Sequence, residues 1–362
     1  MRKCIQIHTF RWLSLRARTY YMIGIVSLIL IVLWLHLALL PIGGIFAIVI
    51  ILTNPTNVMF WILPAFGLFG LAYILRAVRW WVLLRPFQNK GNPANQFPML
   101  VGGIFLTYVA PLRAGDLATP YWLREKQGTR FTAGLASIVW ARVLDFAALI
   151  LIIIVSGFLI FGVITGQVFS YLLSGVLLAL AFIAFFILIR NDRFVGFMSR
   201  IAGRLFKPSE RLKDEVPSFV ENFALDLRTD IGSWTSGWAF LLSVPIWILE
   251  TAKLVFIAMI FSQVVTLPQS LFVLGISYMT GHILAILLPA GISIFITQTV
   301  TIGLALEGWG IAAAASIALL DALVYIIGLT ILGAPSIATM GRGYRELQNA
   351  EPIAELEEKG DG

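Results

Sequence analysis

Two stretches of this chain repeat one chemical pattern. The first is Ala110-Pro111-Leu112-Arg113-Ala114-Gly115-Asp116, followed by Ala136-Ser137 and then Arg142 and Asp145. The second is Leu288-Pro289-Ala290-Gly291, followed at nearly the same distance by Ala315-Ser316 and then Asp321. Each stretch pairs helix breakers (Pro111 and Gly115, Pro289 and Gly291) with charge inside apolar sequence. Charge at membrane depth is costly, at least about 2.5–3.5 kcal/mol per group on insertion scales, so it faces the protein interior and marks a pathway or a pair. Arg142–Asp145 and Glu250–Lys253 stand at i,i+3, on one helix face each. Both pairs have two readings: mutual neutralisation, or contact with a substrate. Arg113 lies beside a glycine-loosened break, where backbone N–H groups and a guanidinium suit a phosphate. The partner open to Asp321 is Arg142 or Lys253.

The elements that position these residues follow from composition. Of 362 residues, 59% are hydrophobic and 12% charged, with mean hydropathy +0.91. A soluble domain carries about 25% charged residues. Several continuous runs reach the roughly 20 apolar residues that span a bilayer core. A polytopic all-α membrane protein follows, and a β-barrel does not, because the runs do not alternate. The net charge of +7 reflects Lys and Arg beside apolar segments, which set membrane orientation and do not imply nucleic acid. The single cysteine, Cys4, allows no internal disulfide. The first apolar run is too long for a signal-peptide core and reads as a retained span.

About six full spans are expected, at 21–40, 58–78, 132–162, 169–189, 234–262 and 310–334. Residues 1–20 form a basic cytoplasmic segment and 41–57 an outer connection. Apolar residues 97–110 are too few to cross and suit a re-entrant hairpin broken at Pro111 and Gly115. Residues 270–305 carry no Lys, Arg, Asp or Glu and suit a second hairpin, broken at Pro289 and Gly291. Between them, 190–232 is a polar cytoplasmic loop with helical periodicity. There Pro217 is expected to separate two helices, and Ser218-Phe219-Val220-Glu221 to cap the second. Residues 336–362 read as an acidic cytoplasmic tail. Repeat unit one (58–162) and unit two (234–334) then run in opposite directions, an inverted-topology repeat within one transmembrane domain, 21–335. Trp80-Trp81 beside Arg76, Arg79 and Arg85 reads as an interfacial anchor.

Other chemistry is weak. His8, His36 and His282 lack metal-ligand spacing, and no metal or cofactor is implied; His282, near the second break, is a secondary candidate for a cavity lining. No nucleotide loop or hydrolase motif is present. Asp145 and Asp321 lack the Gly-x-Gly-Asp context of an intramembrane aspartyl protease.

On these residues the chain resembles the lysylphosphatidylglycerol synthase transmembrane family of flippase-like proteins. The resemblance runs from Arg76 to Gly333. It rests on Gly103, Thr107-Tyr108, Pro111-Leu112-Arg113-Ala114-Gly115-Asp116, Arg142-Val143-Leu144-Asp145 and Pro289-Ala290-Gly291-Ile292-Ser293. Thr107 or Tyr108 stands where the family has Asn, Asp116 where it has Glu, Ala141 where a Glu precedes the arginine, and Asp321 where a later Arg falls. The resemblance implies lipid handling: aminoacylated phosphatidylglycerol, or polyprenyl-linked sugars. The soluble synthase domain is absent, so the chain is expected to be the translocating part, not an enzyme.

The expected function is transport of an anionic or phosphate-bearing lipid. Arg113 and Arg142 would hold the headgroup. Asp116, Asp145 and Asp321 would balance charge or relay protons. Thr107, Tyr108, Glu250, Lys253 and His282 complete the candidates. Expected partners are membrane lipids, a lipid-linked substrate and a glycosyltransferase or lipid-modifying enzyme, but no nucleic acid. The location is a prokaryotic cell membrane with both termini cytoplasmic. The rival reading is a membrane-embedded enzyme, or an assembly partner, in lipid-headgroup or glycolipid synthesis.

Overall fold

The computed structural model describes residues 45–87, 91–109, 113–161, 188, 191–205, 212–228, 233–285, 288–305 and 310–349. The expected span at 21–40, that at 169–189 apart from Leu188, the basic segment 1–20, Pro111 and the acidic residues 350–362 lie outside them. The described residues form eleven α-helices and no strand. They are α1 (Ile45–Thr53), α2 (Pro55–Leu84), α3 (Pro93–Val109), α4 (Ala114–Gln127), α5 (Phe131–Phe161), α6 (Asp192–Leu205), α7 (Leu212–Arg228), α8 (Ser233–Ile260), α9 (Leu267–Leu284), α10 (Ala290–Ala305) and α11 (Ile311–Asn349).

Among the described residues four stretches are long and apolar enough to cross a membrane: Pro55–Phe87, Phe131–Ile160, Trp234–Ile260 and Ile311–Ile337. They match four of the expected spans. Large side chains such as Phe60, Leu63, Ile154, Phe158, Leu241 and Ile331 are exposed on them. An exposed apolar surface on such helices is what a lipid-facing wall requires.

Boundaries differ from expectation where local signals compete. The stretch read as an outer connection contains α1, an apolar helix joined to α2 through Asn54 alone. The Asn54 side chain accepts the backbone N–H of Asn57 at 3.4 Å, and Pro55 takes the first helical position, where its missing donor costs nothing. Pro217 does not separate two helices; it lies inside α7, and the chain leaves α6 earlier. Ser218 and Glu221 therefore do not cap a helix start. Instead Glu221 accepts the Ser199 hydroxyl at 3.0 Å and ties α7 to α6. α11 continues through Asn349, beyond the expected end of the last span.

The two proposed hairpins are helix pairs, α3–α4 and α9–α10, each packed closely by a glycine. A Cβ on Gly103 would collide with the Thr119 hydroxyl, and one on Gly281 would lie 3.1 Å from the Thr297 hydroxyl. The glycine–threonine spacing is identical in the two pairs. Small residues at a crossing let backbones approach, the usual glue between helices in lipid. Gly115 lies inside α4 and Gly291 inside α10, so neither interrupts a helix. Gly115 serves close packing instead: a Cβ there would strike the Gly103 carbonyl. Pro289 lies just before α10, its carbonyl accepting the Ser293 N–H. The wider packing is also matched in pairs. α2 packs on α8; α3 packs on α11 as α9 packs on α5; α4 packs on α5 as α10 packs on α11.

Candidate functional site

Three spans carry charged residues at i,i+3 on inward faces: Arg76 and Arg79 on α2, Arg142 and Asp145 on α5, Glu250 and Lys253 on α8. α2 meets both α8 and α5, so the three pairs converge. The result is two linked clusters of charge.

The first cluster begins at the tip of hairpin one. Arg113 Nε donates to Asp116 Oδ2 at 2.6 Å, and Arg142 Nη2 donates to Asp116 Oδ1 at 3.0 Å. Arg142 Nη1 lies 3.7 Å from Asp145 Oδ2. Arg79 clasps both oxygens of Asp145 and also donates to Ser243 Oγ at 2.9 Å. The Trp247 indole N–H completes the shell of Asp145 at 2.8 Å. Burial is graded along this chain. The Arg113, Asp116 and Arg142 side chains keep 19%, 21% and 22% exposure, whereas Asp145 keeps 3%. The outer end is thus partly exposed, and the inner end is sealed.

Arg113 has φ 51° and ψ 42°, a left-handed conformation that costs a non-glycine residue about 1–2 kcal/mol. It precedes α4 directly, and its Nη1 donates to the His282 carbonyl of α9 at 3.3 Å. The tips of the two helix pairs therefore meet through this guanidinium. They meet again at Gly291, where a Cβ would stand 2.6 Å from the Tyr108 ring. Strain of this kind persists where surrounding contacts over-determine the backbone, commonly at functional sites.

The second cluster is fully buried. Arg76 Nη2 reaches Glu250 Oε1 at 3.3 Å, and Tyr325 donates to Glu250 Oε2 at 2.5 Å. Lys253 Nζ lies 3.2 Å from Glu250 and 3.3 Å from Asp321. Asp321 also accepts Gln298 Nε2 at 2.7 Å and the Tyr278 hydroxyl at 3.3 Å. Trp247 joins the clusters: Arg76 lies 4.8 Å over its ring, while its N–H holds Asp145.

All the predicted charged residues thus fall in these two clusters; the expected Glu250–Lys253 and Arg142–Asp145 contacts are present, and further partners join them. Asp145 is held chiefly by Arg79, and Arg142 turns to Asp116. Of the two partners open to Asp321, Lys253 is the one that faces it. Thr107 is buried, and its hydroxyl would lie 2.5 Å from a Cβ on Gly115. Tyr108 stacks on Tyr325 at 5.6 Å. His282 stands at the edge: its Nδ1 is 2.6 Å from the Tyr278 carbonyl and its ring meets Trp247 edge-on. Among the described residues no group of three or more His, Cys, Asp or Glu converges.

Arg76, Arg79, Trp247, Tyr278, Gln298 and Tyr325 were missed. In sequence Arg76 and Arg79 beside Trp80 suggest interfacial charge, yet all three are buried, and Trp80 donates to Ser137 at 3.0 Å. Only Trp81 fits the anchor, with Arg85 3.7 Å over its ring. The signal was present: after Arg79 the chain continues Trp80-Trp81-Val82-Leu83-Leu84, so the apolar run had not ended.

A family described as the lysylphosphatidylglycerol synthase TM region matches residues 21–333. No curated protein and no solved structure shows a significant match.

Proposed function

Because the chain belongs to the lysylphosphatidylglycerol synthase transmembrane region family, we propose that it carries an anionic or phosphate-bearing lipid across the membrane. One observation carries the reading. The open-ended cluster holds three guanidinium groups, Arg79, Arg113 and Arg142, against two carboxylates, Asp116 and Asp145. It therefore keeps one positive charge to spare, at the end that remains accessible. A phosphate diester supplies the missing anion, and Arg forks bind its oxygens in pairs. The matched packing of α2–α5 and α8–α11 supports an inverted repeat with two re-entrant hairpins, whose tips meet at Arg113 and Gly291. In this reading the lipid tail stays in the bilayer while the headgroup passes the tips, and the two units rock to expose it on alternate sides. Both termini are cytoplasmic, and the membrane is that of a prokaryotic cell. The protein performs no covalent step.

The test is leaflet exchange. Purified protein in phosphatidylcholine liposomes should move headgroup-labelled phosphatidylglycerol or polyprenyl phosphate between leaflets, and Arg113→Ala should slow exchange at least tenfold. Folded protein that exchanges none of these lipids would refute transport and favour a role in headgroup synthesis.

A further inference from the structure

We propose that Asp321 binds and releases a proton as the headgroup binds and leaves, so that transport is proton-coupled symport; this rests on the transport reading above.

The inner cluster is unevenly compensated. Asp116 touches Arg113 and Arg142, Asp145 touches Arg79 and Arg142, and Glu250 touches Arg76 and Lys253. Asp321 touches Lys253 alone among the described cations, and shares it with Glu250. The 3.3 Å contact between Lys253 Nζ and Asp321 Oδ1 also lies outside hydrogen-bonding geometry: both atoms are buried without a hydrogen-bond partner. Among the nine other described side-chain atoms in that condition are the Tyr108 hydroxyl and Gln298 Oε1. These four atoms come from α11, α8, α3 and α10. Tyr108 stacks on Tyr325, Lys253 lies 3.8 Å from the Tyr325 ring centre, and Gln298 donates to Asp321, so the four residues belong to one contact network. Buried polar atoms are paired in more than about nine cases in ten, and unpaired donors and acceptors in one network are the groups that bound water satisfies. Water there would carry a proton to Asp321 Oδ1.

The other groups facing Asp321 can be named. α8 presents Lys253 and, behind it, Glu250; α9 presents Tyr278; α10 presents Gln298. α3 presents Tyr108, α2 presents Arg76 and Tyr73 beyond Glu250, and Tyr325 lies on α11 itself. α1, which also packs on α11, carries nothing titratable. Of the four carboxylates, Asp321 is the one whose protonation breaks a single ion pair.

The step balances simply. A hydronium gives its proton to Oδ1, an O–H bond forms, water is released, and Lys253 keeps its charge. The two clusters hold five cations, Arg76, Arg79, Arg113, Arg142 and Lys253, against four carboxylates. Protonating Asp321 leaves five against three, so the cluster binds an anion more strongly. By linkage the anion strengthens proton binding by the same factor.

Two measurements test this. Liposomes containing labelled phosphatidylglycerol are given a pH difference of one unit in either direction, and the leaflet ratio is read at steady state. Symport of one proton with one monoanion predicts a ratio approaching tenfold, reversing with the gradient and lost in Asp321→Asn. Exchange that ignores the gradient overturns the coupling while leaving transport intact; no exchange at all overturns both. Independently of transport, infrared difference spectra between acidic and alkaline buffer should show a protonated-carboxyl band that Asp321→Asn removes. An unchanged band in that variant also overturns the proposal, and should Asp321→Asn fail to fold, Gln298→Leu must shift the band instead.

Discussion

Asp145 and Asp116 each face two cations, yet they sit at different depths, and depth sets what a substitution does. Removing one partner of a sealed pair strands a charge, at a cost of about 3–5 kcal/mol. Asp145→Asn or Arg79→Leu should therefore lower thermal stability in detergent by that order, and the double variant Arg79→Leu/Asp145→Leu should recover part of the loss. Arg113→Ala leaves Asp116 held by Arg142, so the melting temperature should barely change while exchange fails. A large destabilisation from Arg113→Ala would mean the arginine serves the fold and not the headgroup. At this scale the sequence disclosed seven of the buried or half-buried charged residues, Arg113, Asp116, Arg142, Asp145, Glu250, Lys253 and Asp321, but not Arg76 and Arg79. It did not disclose pairing, because Arg79 reaches Asp145 from another helix and outcompetes the i,i+3 neighbour Arg142.

At the scale of elements, the helix pairs depend on glycine faces. A Cβ on Gly115 strikes the Gly103 carbonyl, backbone against backbone, with no side chain to yield. Gly115→Ala should cost about 1–3 kcal/mol, the range for overpacking, read as a fall in melting temperature. Gly291→Ala meets a ring instead, which can shift, so it should disturb exchange more than stability. Equal stability losses in both variants would contradict this division. The apolar runs made four of the expected spans and the two helix pairs legible beforehand. The ends of elements were not, because Pro217 is absorbed within a helix and Asn54 alone suffices to turn the chain. Arg76 and Arg79 were misread for a related reason: an arginine near the end of an apolar run signals an interface, unless the helix continues past it, as α2 does through Leu84.

At the scale of the whole molecule, the proposed transport would have unit one, α2–α5, move against unit two, α8–α11. Two pairs of positions separate that motion from movement within a unit. A Cβ on Gly102 of α3 would lie 3.6 Å from Ser336 Cβ of α11, across the units. A Cβ on Gly303 of α10 would lie 3.7 Å from Ala314 Cβ of α11, within unit two. Both separations suit a disulfide, whose Cβ atoms stand about 3.5–4.5 Å apart. The decisive measurement is leaflet exchange of labelled phosphatidylglycerol by these two double-cysteine variants in a Cys4→Ser background, oxidised and then reduced. Rocking units predict that oxidation stops exchange in Gly102→Cys/Ser336→Cys, that reduction restores it, and that Gly303→Cys/Ala314→Cys exchanges in both states. Undiminished exchange with the cross-unit disulfide fully formed would contradict an alternating movement of the two units.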